Sequence, residues 1–414
     1  MTSLLRNVAA LIAALTILQL AGGLLGVRLP LAVAADGHSN TALGLIAASY
    51  SAGFMMGATI CTMLLARVGH IRVYAACAAI FAATTLALHF VHDLWGWGLA
   101  RMAAGLVVAL MFATIESWLN FSIGKGARGE VLSVYMVVTK AALALGPYLA
   151  FSYEVDSAEP WMIAAGIAAL SMLPVCLTSA EQPAPPKAQP LALVEQFATA
   201  PAAVIASFGA GLVNSGVLTL APLYASQHYG AGSAAEFYSA AWAGSLLLQW
   251  PAGRLSDRVD RRLVIAALTA LAALAAFALA LFSGRMPEWS AVLIFFFWGA
   301  GALSFYGLAV AHMADRAEPH RLAQSAAGLL FVWAAGSIVG PIVQGPLVDW
   351  FGIEGMFWFA GGAAFMVTLA MFWRRGSREA SALAVKEEFA PQLGTSVAAG
   401  EIAYGEGRSV EAER

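Results

Sequence analysis

The sequence predicts an all-α integral membrane protein with twelve transmembrane helices in two pseudo-symmetric six-helix bundles. Three observations predict it. The 414 residues are 60% hydrophobic and only 11% charged, whereas soluble domains are about 25% charged, and their mean hydropathy is +0.76. Twelve stretches are long and apolar enough to cross a bilayer core, which takes about 20 residues of helix. Landmarks in the first half recur in the second at a nearly constant offset. This composition excludes a soluble enzyme and a disordered scaffold. With 22 basic against 24 acidic residues, there is no basic surface for nucleic acid either.

In chain order the spans are expected at Val8–Leu29, Thr41–Ala66, Ile71–Phe90, Leu94–Ile123, Val131–Tyr153 and Trp161–Thr178, then at Ala202–Tyr224, Ala234–Gly253, Leu263–Phe282, Ala291–Met313, Ala323–Val348 and Met356–Trp373. The first apolar run is too long for the h-region of a signal peptide, about 7–15 residues, and reads as a span. Between the halves, Glu181–Pro190 holds four prolines in ten residues and reads as a linker. The expected organisation is a first bundle at 1–179, a cytoplasmic linker at 180–198, a second bundle at 199–375 and a disordered cytoplasmic tail at 376–414. Cys61, Cys77 and Cys176 lie in apolar runs and read as packing residues.

Orientation follows the distribution of Lys and Arg. Of the 22 basic residues, Arg28 and Arg285 fall on one side, Arg101 and Lys140 fall inside spans, and the other 18 fall on the side of the two termini. Both ends are therefore expected in the cytoplasm, with the chain multi-pass in the cytoplasmic (inner) membrane.

The repeat has three anchors. Arg67 and Arg258, after the second and eighth spans, are 191 positions apart; Arg128 and Arg321, opening the fifth and eleventh, are 193 apart; Gly146-Pro147 and Gly340-Pro341 are 194 apart. A duplicated six-helix unit is a transporter architecture in which solute binds near the midplane between the halves.

The loop Gly253-Arg-Leu-Ser-Asp257-Arg258-Val-Asp260-Arg261-Arg262, entered through Gln249-Trp-Pro251, resembles the Gly-x-x-x-Asp-Arg-x-Gly-Arg-Arg loop of the major facilitator superfamily. The resemblance spans about residues 5–375. Asp260 stands at the family's glycine, and the matching first-half loop keeps Arg67, Gly69 and Arg72 but has Thr62 and Ala66 where Gly and Asp are expected. The resemblance implies that these loops gate the cytoplasmic side. Physically, Asp257 among four arginines is a charge-assisted latch in waiting, set against the plainer reading of topogenic positive charge.

Other motifs point the same way. Arg101-x-x-x-Gly105 in the fourth span resembles a motif of proton-coupled members, and a charge inside the bilayer is costly and tends to mark function. Glu116 in the fourth span, with Asn120 one turn on, and Lys140 in the fifth are expected to pair at similar depth, either as a coupling unit or as a static ion pair. Ala142-x-x-x-Gly146-Pro147 is an alanine-substituted version of the family's antiporter motif, and Gly336-x-x-x-Gly340-Pro341 is its partial match. Small residues here also serve close helix packing. Gln19, Asn214, Gln249, Tyr306 and Gln344 are candidate cavity-lining residues. His89 and His92 beside Asp93 lack a fourth metal ligand and read as a solvated loop, so no metal or cofactor is expected. No phosphate-binding loop is present to draw on ATP.

These features, with the resemblance, lead us to expect a secondary transporter rather than an enzyme. It would move a small, neutral or cationic organic molecule by alternating access, driven by protons and favouring export by antiport, as a monomer in the lipid bilayer. The competing expectation is a non-transporting sensor or assembly protein on the same scaffold.

Overall fold

A computed structural model describes residues 2–123, 128–178, 181–184, 193–318 and 321–376. Twelve helical segments cross the molecule: α1 (Thr2–Ala35), α2 (Asn40–Val68), α3 (His70–Phe90), α4 (Leu94–Ser122), α5 (Arg128–Leu145), α6 (Glu159–Leu170, resumed at Leu173–Cys176), α7 (Pro201–Tyr229), α8 (Ser233–Arg258), α9 (Arg261–Phe282), α10 (Glu288–Ala302, resumed at Phe305–Ala314), α11 (Leu322–Phe351) and α12 (Gly355–Gly376). A short helix, Leu193–Thr199, precedes α7. No strand occurs among the described residues. The expected tail, apart from Gly376, lies outside them, as do residues 180 and 185–192 of the linker.

Apolar residues surround these helices on all sides, as lipid requires, so it is small residues that set where helices meet. A Cβ on Gly53 would strike the Met102 carbonyl and one on Gly105 the Tyr50 carbonyl, which locks α2 against α4. In the second half, Gly244 meets Phe296 and Gly299 meets Ala241, locking α8 against α10. Likewise Gly146 sits against Leu20 and Gly23 of α1, and Gly340 against Leu212 of α7. The same crossings recur in each half, so the Gly-Pro pairs perform close packing at α1–α5 and α7–α11.

Three expectations about the spans change. The first helix runs on past Pro30 to Ala35, and it carries Arg28, buried within it, to the Glu154 and Ser157 carbonyls beyond α5. The fifth span is cut short: at Gly146-Pro147 the α-helix gives way to a 3-10 turn, Gly146–Ala150, because Pro has no N–H and its ring crowds the preceding turn. The eighth, Ser233–Arg258, is long enough to cross at 26 residues but is less apolar than the other eleven spans. Its polar residues include Tyr238, Ser245 and Gln249, which turn toward the other half.

The turns alternate between two faces. One carries the α2–α3 and α8–α9 turns and is called the basic face below; the α1–α2 and α11–α12 turns lie on the opposite face. Hydrogen bonds between the halves occupy the opposite face and mid-membrane. At the opposite face, Asp349 of α11 caps the start of α2, accepting from the Asn40 and Thr41 backbone N–H groups at 3.0 and 2.8 Å and from their side chains at 2.9 and 2.6 Å. Beside it the Pro341 carbonyl lies against Gly44. Ser239 of α8 donates to the Ala144 carbonyl of α5.

Candidate functional site

A cavity of about 320 Å³ lies between the halves and is lined by both. The first half contributes Gln19, Tyr50, Phe54, Arg101 and Lys140; the second contributes Asn214, Tyr238, Trp242, Tyr306 and Trp333. Two of its walls are cationic, and no Asp or Glu is among the lining residues.

Lys140 stands 12 residues into α5, about 18 Å along the helix, and is 2% exposed. Its ammonium donates to Ser245 Oγ of α8 at 2.7 Å and to Gln249 Oε1. The expected ion pair with Glu116 is absent. Glu116 is six residues from the end of α4, only about 9 Å in from the basic face, and so is about half as deep as Lys140. At that depth it meets Tyr135, whose hydroxyl donates to Glu116 Oε1 at 2.7 Å. Both groups are buried, as expected, but they belong to different networks. Asn120 lies a turn nearer the basic face, outside the cavity lining.

Arg101 enters the cavity from α4, with its guanidinium carbon 4.2 Å from the centre of the Tyr50 ring. A cation over an aromatic face is favourable but leaves the N–H donors unused. None of the hydrogen bonds among the described residues involves Arg101, and its Nε is buried without a partner.

The wall opposite is built on a break in α10. Leu303 and Ser304 interrupt the helix and free carbonyls that lipid cannot satisfy. Asn214 Nδ2 of α7 donates to the Ala302 carbonyl at 2.9 Å, and Ser245 Oγ donates to the Leu303 carbonyl at 3.2 Å. Asn214 thus lines the site as expected and is already bonded on one side; Gln249 lies outside the lining and reaches the site through its bond to Lys140. Gln19 and Tyr306 also line it. Gln344 does not: it is fully buried at the α7–α11 crossing, donates to the Leu212 carbonyl at 3.2 Å, and lies over Gly216. It was a candidate because it is polar within a span, and the tight approach of α7 makes that position a helix contact instead.

Ser245, the α10 break, Tyr50, Trp242 and Trp333 escaped the sequence reading. Gly299-Ala-Gly301-Ala-Leu-Ser304 was the available signal for the break. The aromatic residues carry no local signature, because aromatics occur along all the spans.

The basic-face loops are ordered within each half. Arg261, 1% exposed, donates to both Asp315 oxygens at 2.7 and 3.2 Å, to Asp257 Oδ1 at 2.9 Å and to Ser256 Oγ. Arg262 instead grips Asp260, donating to its two oxygens at 3.1 and 2.9 Å, and also reaches the Arg374 carbonyl. Burial pushes the Asp260 carboxyl up, but the Arg262 side-chain and backbone bonds outweigh it and hold it below its ordinary value. Gly253 is buried in α8, and Arg258 ends that helix. Asp315, at the end of α10, was missed; it is the charge that Arg261 is built around. In the first half, Gly69 ends α2 at φ 86°, a conformation that favours glycine, between Arg67 and Arg72. Gln182 accepts from the His70 N–H at 3.1 Å there.

Two six-helix halves around a shared, largely apolar cavity that carries two cationic side chains have the architecture of a secondary transporter of small molecules, multi-pass in its membrane. The major facilitator superfamily model matches residues 11–331 and 232–403, and the chain belongs to that superfamily. It is similar to the uncharacterized MFS-type transporter YcaD of Escherichia coli O7:K1 (strain IAI39 / ExPEC), 27% identical over 381 residues, 91% of this chain and 98% of the relative. Its fold is similar to the nucleoside transporter NupG, with a TM-score of 0.73 at 14% identity, over 91% of this chain and 100% of that one. It is also similar to a bacterial homolog of the human lysosomal transporter Spinster in an inward-facing and unoccupied conformation, with a TM-score of 0.72 at 14% identity, over 91% and 99%.

Proposed function

We propose that this chain moves a small organic molecule across the cytoplasmic membrane by alternating access, coupled to protons, as an exporter working by antiport. The observation that carries this reading is the cavity shared by the two halves, with cross-half bonds at the opposite face and at mid-membrane. If the basic face is cytoplasmic, as the 18 basic residues on that side argue, those opposite-face bonds hold the outer side of the site together.

The Gly-Pro resemblance of α5 and α11 supplies the export sense, and the latch expected of Asp257 would form when the basic face closes.

The test is transport by the purified protein in proteoliposomes with an imposed pH gradient, offered an equimolar mixture of small organic acids, amides and amines, with retained solutes read by mass spectrometry. At least one solute should accumulate against its gradient and be lost on adding a protonophore. No accumulation of any of them by folded, inserted protein favours the sensor or assembly reading. For topology, a cysteine replacing the exposed Ala184 should react with an impermeant thiol reagent only after the membrane is opened.

A further inference from the structure

Two cations face one cavity in the low-dielectric middle of the protein, and neither has an acid partner among the described residues. Lys140 is held by two neutral oxygens, those of Ser245 and Gln249, so an ammonium there has no acid to offset it and one N–H left to donate. Arg101 offers five N–H donors and makes no hydrogen bond among the described residues; its one contact of note is the Tyr50 face. Nearby Glu116 is no counter-ion for either, since it lies outside the lining and accepts from Tyr135. Buried charge without a partner is among the costliest arrangements in a protein, and buried donors without acceptors add to that cost. A transporter that keeps such a pair needs an acceptor-rich anion to arrive there during its cycle.

The remaining walls define the rest of that anion. Tyr50, Phe54, Tyr238, Trp242, Tyr306 and Trp333 surround the space with ring faces and edges, which suit an apolar or aromatic body. On the far wall Asn214 Oδ1 is a buried acceptor without a partner, placed to take a hydroxyl or amide proton from the solute.

We propose that the transported solute is a small organic anion, a carboxylate with an apolar or aromatic body, whose oxygens accept from the Arg101 guanidinium and the Lys140 ammonium. This rests on the transport reading above and narrows it. It also departs from the neutral or cationic solute expected from the sequence. That expectation came from the nearly uncharged spans of the second half; both cations come from the first half, and only the assembled fold turns them into one cavity without an acid. Export agrees with this choice, since an inside-negative membrane potential drives an anion outward.

The experiment uses the full-length protein in lipid nanodiscs and two matched probe sets: benzoate, benzamide and benzylamine, and phenylpropionate with its amide and amine. Thermal unfolding is followed against probe concentration. In each set the carboxylate should stabilise most. Lys140→Gln and Arg101→Gln should each weaken carboxylate binding by roughly tenfold or more and erase its advantage over the amide. Arg101→Lys, which keeps the charge but loses the fork, should fall between and guards against a variant that fails to fold. An amide or amine that binds as tightly as its acid, or no binding of either set to folded protein, overturns the proposal. Flux of labelled benzoate and benzylamine into proteoliposomes separates the two readings. Benzoate binding without flux keeps the anion site and overturns transport; benzylamine flux without benzoate flux keeps transport and overturns the anion.

Discussion

Lys140 of α5 is bonded across the molecular interface to Gln249 of α8, and Glu116, the acid expected to be its partner, is bonded to Tyr135 within its own half. The first bond makes Lys140 a sensor of how the halves sit. A rocking motion that separates α5 from α8 strips the ammonium of both protein acceptors at once, so its surroundings differ between the two states of the cycle. That differential contact is what lets a bound solute or ion bias the equilibrium.

Because Glu116 and Lys140 serve different networks, their substitutions should add. We expect Glu116→Gln and Lys140→Met to lower thermal stability independently, with an interaction below about 0.5 kcal/mol in the double-mutant cycle. Rescue of folding and driven transport in the double variant would show instead that the two act as one ion pair.

Asp349 fastens α11 to the N-terminus of α2 at the opposite face. As a charged cap it is worth about 1 kcal/mol, and losing it should release that face. In a cysteine-free background, a cysteine at Ala47, which lines the cavity, should react several-fold faster with an impermeant reagent from the opposite side when Asp349→Asn is added. Unchanged reactivity would mean that the Gly44–Pro341 contact alone sets closure.

The two acids on Arg261 should behave differently. Asp315 is nearly buried and grips the guanidinium with both oxygens, so Asp315→Asn should cost about 3 kcal/mol or more in unfolding experiments. Asp257 is 25% exposed, so Asp257→Asn should leave stability within about 1 kcal/mol of wild type yet reduce transport, because it is the acid expected to latch the basic face when that face closes. Normal transport by Asp257→Asn would reduce the loop to a topogenic signal.

Asp260 gives a pH signature. A carboxyl held below its ordinary value contributes stability that is complete above the unfolded value, about 3.9, and disappears as pH falls through the lower folded value. Protection of the α8–α9 turn from hydrogen exchange should therefore be flat through neutral pH and fall only in acid. Asp260→Asn, which also weakens the cap on the Arg262 N–H, should lower that protection at neutral pH and flatten the acid dependence. An acid loss as steep in Asp260→Asn as in wild type would assign it to another group.

The sequence by itself determined the class, the number of spans and the duplication. Each rests on a local property: twenty apolar residues are a span wherever they lie, and a copied unit keeps its offsets through Arg67 and Arg258 or Gly146 and Gly340. It also picked out Arg101, Glu116 and Lys140, because a charge inside a span needs no neighbour to be conspicuous. Tertiary structure alone decided their partners. Depth along antiparallel helices, a matter of about 9 Å between Glu116 and Lys140, separated a pair that adjacent spans had suggested. The break at Leu303–Ser304 brought Asn214 and Ser245 to the site, and the glycine crossing at α7–α11 took Gln344 away from it. The charge of the cavity is likewise a property of tertiary structure, since Arg101 and Lys140 come from two helices of the first half, and only packing brings them to one space whose lining holds no acid.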